Sequence, residues 1–269
     1  AHNRLDALGG PALRCIQDCS RLLGYGRYGA HLLRNCLRTL PHRDGDYRAA
    51  QAVPYLPHGL DLRVFHPGVP LEQADESFQT WTRMVAPDAL RIGAVATNQP
   101  RKDFGLLFET VAALRVQGHA IALWLHTDFL TRVWDIGELA STCGLNPREV
   151  AVFTEDLTDT QLAARYGWSD VTIAPGLGEG FGYPIAESLA CGTPVVHGRY
   201  AGGAELVPHP RWLVSPRAYR LESVYALERP VLQPEEMAAA VLAAARWKRL
   251  APELATAYCS GAVEHLDWK

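Results

Sequence analysis

The chain has 269 residues, of which 48% are hydrophobic and 20% charged, and its formal net charge of −3 gives no general attraction to nucleic acid or to an anionic membrane surface. No apolar run approaches the ~20 residues of a membrane helix, and the first residues lack the basic start and apolar core of a secretory signal. We therefore expect a cytoplasmic protein with no transmembrane segment and no nucleic-acid partner.

The first 50 residues carry one clear helical pattern. Apolar residues recur at helical spacing from Tyr28 to Leu40, and Pro41 ends the pattern. The residues before it, 21–26, are typical of a short strand and a loop. A strand followed by a helix fits the end of a preceding Rossmann-like domain. Because the chain begins at Ala1 without a methionine and ends at Lys269 in the middle of a pattern, we expect both ends to be cut.

From Leu90 onward, apolar runs alternate with helical patterns, after a loop with a short helix at 69–88. The predicted strands are 90–96, 120–126, 149–153, 170–174, 193–197 and 211–214. The predicted helices are 103–117, 131–143, 158–167, 184–191, 201–206 and 234–248, and 215–233 is predicted as a loop. Apolar strands between amphipathic helices indicate a parallel sheet that is covered on both faces. We predict an α/β fold with a Rossmann-like, doubly wound parallel sheet.

Metal-binding patterns are weak in this sequence. None of the six cysteines forms a C-x2-C pair, so we expect reduced, buried thiols and no zinc site. Asp44 and Asp46 form an Asp-x-Asp sequence, but no predicted strand leads into it, and a solvated turn is the interpretation we favour. His126, His197 and His209 are isolated in the sequence and are expected to be structural or exposed rather than catalytic.

Ligands of a doubly wound sheet bind outside the carboxyl ends of its strands. Three polar segments follow predicted strands in this way. Arg101 and Lys102 follow the first strand, 154–157 follows the third, and 175–182 follows the fourth. Two neighbouring cations at the start of a helix can hold a diphosphate, although a solvated basic helix start would give the same two residues.

The segment from Pro175 to Val196 carries the strongest pattern, PGLGEGFGYPIAESLACGTPVV. Its four alternating glycines, at 176, 178, 180 and 182, allow positive φ values and a close approach of a ligand. Pro184 suits the first position of the following helix, and Gly192 suits the residue after its end. A glycine loop before a helix amino terminus favours phosphate groups, and the segment therefore predicts the floor of a phosphate-bearing ligand site.

This segment, read as E-G-F-G-x-P-x-x-E-S-L-A-C-G-T-P-V-V, resembles the E-x7-E signature of the retaining, GT-B-fold glycosyltransferases of family 4. The resemblance implies that Glu179 contacts the donor sugar and supports the transition state, and that Glu187 accepts ribose hydroxyls. The alternative is that both are acids that interact with a helix dipole, which leaves the glycines unexplained. The backbone amides of Gly180, Phe181 and Gly182 would face the sugar and phosphate, with Phe181 also expected to pack.

The same resemblance extends to other segments. It places Lys102, with Arg101 substituting for a separate upstream arginine, at the donor diphosphate. It places Asp156 and Leu157 at the base, in a loop where Glu155 replaces the family's glycine. The linker "P-N-G-V-D…F-x-P" is similar to 57–67, with His58 in place of asparagine and expected to be a turn residue. Glu205 matches "G-G-x-x-E", and an exposed helix acid is an equal alternative.

The resemblance covers about residues 51–268, the donor-binding lobe of a GT-B enzyme. It implies two domains, a truncated remnant of the acceptor lobe and linker at 1–57 and the nucleotide-sugar-binding domain at 58–269. The implied activity is transfer of a sugar from a nucleotide-diphosphate sugar, with retention of configuration and without a metal or other cofactor. The acceptor is unknown (glycan, lipid or small molecule), and the missing lobe could contact a membrane surface. The alternatives are a non-catalytic nucleotide-sugar-binding module and a GT-B-like epimerase.

Overall fold

The computed structural model describes residues 21–39, 53–222 and 227–268. The Asp-x-Asp sequence at 44–46 lies outside them. The described strands are β1 Leu90–Val95, β2 Ile121–His126, β3 Val150–Phe153, β4 Val171–Ala174, β5 Val195–Gly198, β6 Leu213–Val214, β7 Ala218–Glu222 and β8 Leu227–Val231. The described α-helices are α1 Arg27–Thr39, α2 Glu76–Thr82, α3 Phe104–Val116, α4 Ile136–Thr142, α5 Asp159–Trp168, α6 Tyr183–Ala190, α7 Pro234–Leu250 and α8 Pro252–Gly261.

Strands β1 to β6 form one parallel sheet in the order β3-β2-β1-β4-β5-β6. The chain moves outward from β1 to β3, returns to the middle at β4, and then moves outward the other way. The strand order therefore reverses between β1 and β4, which is where a doubly wound sheet opens a crevice for a ligand. The predicted fold class is confirmed, and each predicted strand overlaps an observed one.

The core lies on both faces of this sheet. Strands β1, β2 and β4 have almost no exposed side chains, because α3 and α7 cover one face and α5 and α6 pack on the sheet as well. Gly93 in the middle of β1 leaves room for the Trp124 indole, since a Cβ at this glycine would lie 2.5 Å from Cζ2 of Trp124. The indole Nε1 donates to Oγ of buried Ser169 at 2.8 Å. The central strands are therefore locked by both apolar packing and a buried hydrogen bond.

Three predicted elements differ from the structure. The helix expected at 131–143 begins only at Ile136, because Asp135 caps it by accepting from the amide of Glu138. The segment 201–206 forms a 3₁₀ turn, Gly202–Glu205, instead of an α-helix. The loop expected at 215–233 contains the antiparallel hairpin β7-β8. Pro230 can occupy a strand of this two-stranded ribbon because one of its edges needs no amide donor.

The amino-terminal segment packs against the rest of the chain through backbone and side-chain contacts. Gly24 and Tyr55 form a parallel bridge, with the amide of Gly24 donating to the carbonyl of Pro54 at 3.1 Å. Helix α1 begins three residues later and overlaps the predicted helix. Its first two amides, of Arg27 and Tyr28, donate to the Glu205 carboxylate. Glu205, 178 positions from Arg27 in the sequence, therefore caps α1.

Of the described residues, none belongs to a helix long and apolar enough to cross a bilayer. Of the described cysteines, Cys36, Cys191 and Cys259 are buried and Cys143 is half-buried. Burial raises the pKa of Cys259 to about 12, so this thiol stays protonated at neutral pH.

Candidate functional site

A cavity of about 550 Å³ lies across the carboxyl ends of β3, β2, β1 and β4. The three predicted segments meet there. Residues that line it come from the loops after β1, β2, β3 and β4 and from the linker before β1: Tyr25, His58, Thr97, Arg101, Lys102, His126, Thr127, Asp128, Thr154, Glu155, Asp156, Glu179, Gly180, Phe181, Gly182, Tyr183 and Pro184. Leu157 and Glu187 are not among them.

Glu179 and two cations form one ion cluster at this cavity. Nζ of Lys102 lies 2.5 Å from Oε1 of Glu179, and Nη1 of Arg101 lies 3.3 Å from Oε2. Nη1 of Arg101 also donates to the carbonyl of Gly178 at 3.2 Å. Lys102 is buried, with 7% of its surface exposed. The structure thus joins residues that are 77 positions apart in sequence, at the strand-order reversal between β1 and β4.

Local backbone structure directs these cations toward the cavity. Arg101 and Lys102 lie in a 3₁₀ turn, Pro100–Lys102, just before helix α3. Asp103 then adopts a left-handed conformation, with φ of 39°, and its side chain caps α3 by accepting from the amide of Leu106. The amide of Leu177 donates to the carbonyl of Arg101 at 2.7 Å. This bond ties the loop after β1 to the loop after β4.

The four alternating glycines serve different purposes. Gly182 alone of the four has a positive φ, at 100°, so the expectation of positive φ holds at one position. A Cβ on Gly176 would lie 2.6 Å from Oε1 of Glu179, and one on Gly178 would lie 2.7 Å from Nη1 of Arg229. A Cβ on Gly180 would meet nothing within 4 Å. Two glycines therefore make room for charged side chains, and Gly180 leaves the cavity wall open.

Helix α6 begins at Tyr183, with Gly182 as its N-cap, so Pro184 is its second residue and not its first. Pro184 has no N–H group, and the amide of Ile185 donates to the carbonyl of Gly182 at 2.9 Å. The capacity of this helix start to bind an anion therefore rests on the amides before Pro184. At the other end, Gly192 follows the helix with φ of 74°, as predicted.

The loop after β5 packs against the Glu179 loop and forms a hydrogen bond with it. The amide of Gly202 donates to the carbonyl of Glu179 at 3.0 Å. A Cβ on Gly202 would lie 2.4 Å from the carbonyl oxygen of Gly180, so glycine is required for this contact. Buried His197 on β5 donates from Nδ1 to the carbonyl of Ala174 at 2.6 Å. Burial lowers the pKa of His197, so the ring is neutral at pH 7.

Glu187 lies on the second turn of α6, one turn later than expected, and its side chain is partly buried. The Tyr166 hydroxyl donates to Oε2 of Glu187 at 2.9 Å. Burial raises the pKa of Glu187 to about 7, although the Tyr166 hydrogen bond opposes the rise. Burial and the nearby Glu187 carboxylate raise the pKa of Tyr166. At neutral pH Glu187 is therefore less fully ionised than an exposed glutamate.

The far end of the cavity is formed by the loop after β3. Glu155 at this end accepts from the Ser77 hydroxyl at 2.7 Å and from buried Arg165 at 3.1 Å. Arg165 also forms an ion pair with Asp75, 2.5 Å between Nη2 and Oδ2, and lies over the ring of Phe153 at 4.3 Å. This network fixes the loop that the sequence assigned to the base.

An aromatic cluster borders the cavity on the side of the linker. His58 stacks on Tyr25 with 4.1 Å between ring centroids and contacts the edge of Phe181 at 5.2 Å. Tyr183 lies 5.3 Å from His58. The sequence pattern predicts a turn at His58 and gives no sign of Tyr25 or Tyr183. The replacement of the family's asparagine by His58 was the available signal.

The loop after β2 was also missed as part of the site. His126, Thr127 and Asp128 line the cavity, and Asp128 accepts from the amide of Asn98 at 2.5 Å. Burial, and after it Arg165, lowers the pKa of His126, so this ring is neutral at pH 7. Their position directly after a predicted strand could have identified them.

A second cavity of about 470 Å³ adjoins the first. The two share Tyr25, Gly180 and Phe181, so the loop after Glu179 separates them. Arg27 and Glu205 line the second cavity. The Glu179 loop therefore faces two spaces, one of which continues toward β3.

Comparison with protein families gives a match over residues 86–245, more than half of the chain, to the model described as Glycosyl transferases group 1. D-inositol 3-phosphate glycosyltransferase of Pseudarthrobacter chlorophenolicus is 27% identical over 200 residues, which cover 70% of this chain and 43% of that protein. MMP alpha-(1->4)-mannosyltransferase of Mycolicibacterium hassiacum is 31% identical over 121 residues, 44% of this chain and 28% of that protein. The chain spans less than half the length of the first curated relatives it matches.

Comparison with solved structures identifies the fold. Anabaena Alr3699/HepE in complex with UDP and glucose superposes with a TM-score of 0.67 at 16% identity, covering 95% of this chain and 62% of that one. Trehalose-6-phosphate synthase OtsA superposes with a TM-score of 0.69 at 16% identity, covering 96% and 59%. The fold is therefore the α/β, Rossmann-like fold of GT-B glycosyltransferase structures.

Proposed function

Because the chain belongs to the glycosyl transferases group 1 family, we propose that it binds a nucleotide-diphosphate sugar and contributes the donor site of a glycosyltransferase. The observation that carries this proposal is the cluster of Lys102, Arg101 and Glu179 at the strand-order reversal between β1 and β4, at one side of a 550 Å³ cavity. Cations and a glycine-lined helix start at this position suit a diphosphate.

In this proposal, the donor diphosphate binds at Lys102 and Arg101. Both cations contact Glu179, so the phosphate oxygens exchange with the Glu179 carboxylate when the donor binds. Glu179 then becomes free to accept hydroxyl groups of the donor sugar. The exchange replaces one charge-assisted contact with another and keeps the cations compensated throughout.

The proposed reaction proceeds with retention at the anomeric carbon and without a metal ion. The bond from the anomeric carbon to the β-phosphate oxygen breaks, and the acceptor oxygen forms its bond to that carbon on the same face. The leaving phosphate takes the acceptor proton. Lys102, Arg101 and the start of α6 stabilise the negative charge that develops on the phosphate. A protein nucleophile is not needed, and Glu179 supplies electrostatic support to the positively charged sugar carbon.

We assign the remaining contacts as follows. Glu187 accepts ribose hydroxyls, as the sequence predicted, after its Tyr166 hydrogen bond rearranges. Gly180, Phe181 and Gly182 offer backbone amides to the sugar and phosphate. The base lies toward Asp156 and Leu157. This arrangement is supported by the loops after β1, β3 and β4, which all line one cavity. Leu157 and Glu187 are not among the lining residues.

The acceptor in this proposal is a molecule with a free hydroxyl group, and the polyol phosphate in the name of a relative, D-inositol 3-phosphate, is the example we put forward. The family match begins at residue 86 and the relatives are more than twice as long as the matched region. We therefore propose that residues 1–57 belong to an acceptor lobe, that the chain binds donor, and that it transfers sugar slowly by itself.

The test is calorimetric titration of the protein with UDP, GDP and ADP, followed by their sugar conjugates. Lys102→Met should weaken the tightest nucleoside diphosphate by about 10- to 100-fold, the effect of losing a charged hydrogen bond. Arg115→Ala is the control, because Arg115 is exposed and pairs with Glu149 away from the cavity. Failure of all three nucleotides to bind would contradict the proposal. Binding without transfer to any acceptor would favour a binding module, and release of free sugar an epimerase.

A further inference from the structure

The end of the cavity formed by the β3 loop differs chemically from the phosphate end. The loops after β3 and β4 are separated by three strand spacings, about 14 Å, and one cavity joins them. With the diphosphate at Lys102 and Arg101, as proposed above, the nucleoside extends along the sheet edge toward residues 154–156. The hydrogen-bond donors and acceptors of residues 154–156 then determine which base binds. This inference rests on the proposed function.

One backbone donor at this end, the amide of Thr154, is already occupied. The amide of Thr154 donates to Oε2 of Glu155 at 2.9 Å. Glu155 cannot swing away easily, because Oε1 accepts from Ser77 and Arg165, and Arg165 is itself fully buried. The amide of Thr154 is therefore not available to donate to a carbonyl oxygen of a base.

The side chain of Asp156 is an acceptor without a donor. It lines the cavity, and within the described residues no hydrogen bond or ion pair is formed with its carboxylate. The neighbouring carboxylates differ, since Glu155 is bonded as above and Asp128 accepts from the amide of Asn98 and pairs with Arg132. Asp156 is thus the lining carboxylate at this end with both oxygens open to a ligand.

We propose that Asp156 makes this site select guanine among the nucleotide bases. A carboxylate offers two acceptor oxygens and no donor. Guanine has two adjacent donors, N1–H and the N2 amino group, on its pairing edge and can satisfy both oxygens at once. Uracil presents one N–H between two carbonyl oxygens, and adenine and cytosine each place a ring-nitrogen acceptor beside their amino group. Each of these bases therefore places an acceptor opposite one of the two carboxylate oxygens of Asp156.

The test compares GDP, UDP and ADP by calorimetry on the intact chain and on Asp156→Asn. For the unmodified protein we expect GDP to bind about tenfold or more tightly than UDP or ADP, as for a good bidentate contact. Asp156→Asn should lower GDP affinity to about that of UDP without weakening UDP, because asparagine can both donate and accept. Asp159→Asn is the control, since Asp159 is exposed at the start of α5 and does not line the cavity.

Two results would overturn the selection of guanine while leaving the proposed function intact. One is binding of UDP or ADP as tightly as GDP by the unmodified protein. The other is an equal loss of all three nucleotides in Asp156→Asn, which would indicate a general effect on the loop. Failure of every nucleotide to bind would overturn this inference together with the proposed function.

Discussion

Lys102 and Glu179 form a close ion pair, 2.5 Å from Nζ to Oε1, in which both side chains are about nine-tenths buried. Arg101 contacts the second carboxylate oxygen from a more exposed position. A pair of this kind is costly to break, because a charge left alone in a buried site loses its solvation without compensation. Its position beside the cavity is the reason we propose that a phosphate group replaces the carboxylate there.

This pairing predicts a specific stability pattern. Lys102→Met should lower the free energy of unfolding by about 3 kcal/mol, because Glu179 then keeps only the more distant Arg101. Adding Glu179→Gln should recover most of the loss, since the unpaired charge is removed. Urea unfolding of both single variants and the double variant measures the coupling. Strictly additive losses would show that the two side chains do not interact.

Glu187 predicts a pH dependence of stability. Its pKa in the folded protein is about 7, raised by burial from 4.5. Between these values the unfolded chain is ionised while the folded protein remains protonated, so ionisation favours unfolding and stability falls as pH rises through this window. Glu187→Gln should remove this loss. The stability of this variant relative to the unmodified protein should be about 3 kcal/mol higher at pH 8 than at pH 4.

That comparison needs unfolding curves at both pH values, with a variant of an exposed acid, Glu138→Gln on α4, as the control. The control should show no such change between pH 4 and pH 8. An identical difference between the Glu187→Gln and unmodified proteins at both pH values would contradict a raised pKa.

The two cavity glycines predict opposite responses to alanine. Gly182 has a positive φ, and a Cβ there would lie 3.2 Å from Cδ1 of Ile185, so Gly182→Ala should cost about 1–2 kcal/mol. Gly180 has neither restriction, and Gly180→Ala should leave stability unchanged or raise it by up to about 1 kcal/mol. Thermal unfolding of the pair tests this, and equal destabilisation would contradict the assigned roles.

Substitution of Asn98 should loosen the loop after β2. Its buried amide accepts from the amide of Trp134 and donates to the carbonyls of Phe129 and Trp134. Asn98→Ala leaves these groups without partners and should cost about 2–4 kcal/mol. Hydrogen exchange should show faster exchange at 128–135, whereas an exposed neighbour, Thr97→Ala, should not change it. Unchanged protection in Asn98→Ala would contradict this role.

The sequence was informative where structure is determined locally. Strands β1 to β5 are short apolar runs between turn residues, and α5 carries its own capping box at Thr158 and Gln161. The position of the Glu179 loop at a strand end followed from the alternation of strands and helices. These features depend on neighbours in the chain, so the pattern alone predicts them.

Features that depend on distant residues were not predictable. The family resemblance implied that Glu179 contacts the sugar and Lys102 the diphosphate, with no sign that the two residues contact each other across 77 positions. Hairpin β7-β8 was missed because Pro230 disfavours a strand, and only tertiary context makes it acceptable. Glu205 was left between two interpretations, and its partner proved to be the amino terminus of α1.

The most direct test of the donor site is a crystal structure of the protein with a bound nucleoside diphosphate. We expect a phosphate oxygen within hydrogen-bond distance of Nζ of Lys102, a broken or lengthened contact between Lys102 and Glu179, and the base beside Asp156. A nucleotide bound elsewhere, or bound with the ion pair of Lys102 and Glu179 intact and no phosphate contact to Lys102, would contradict it.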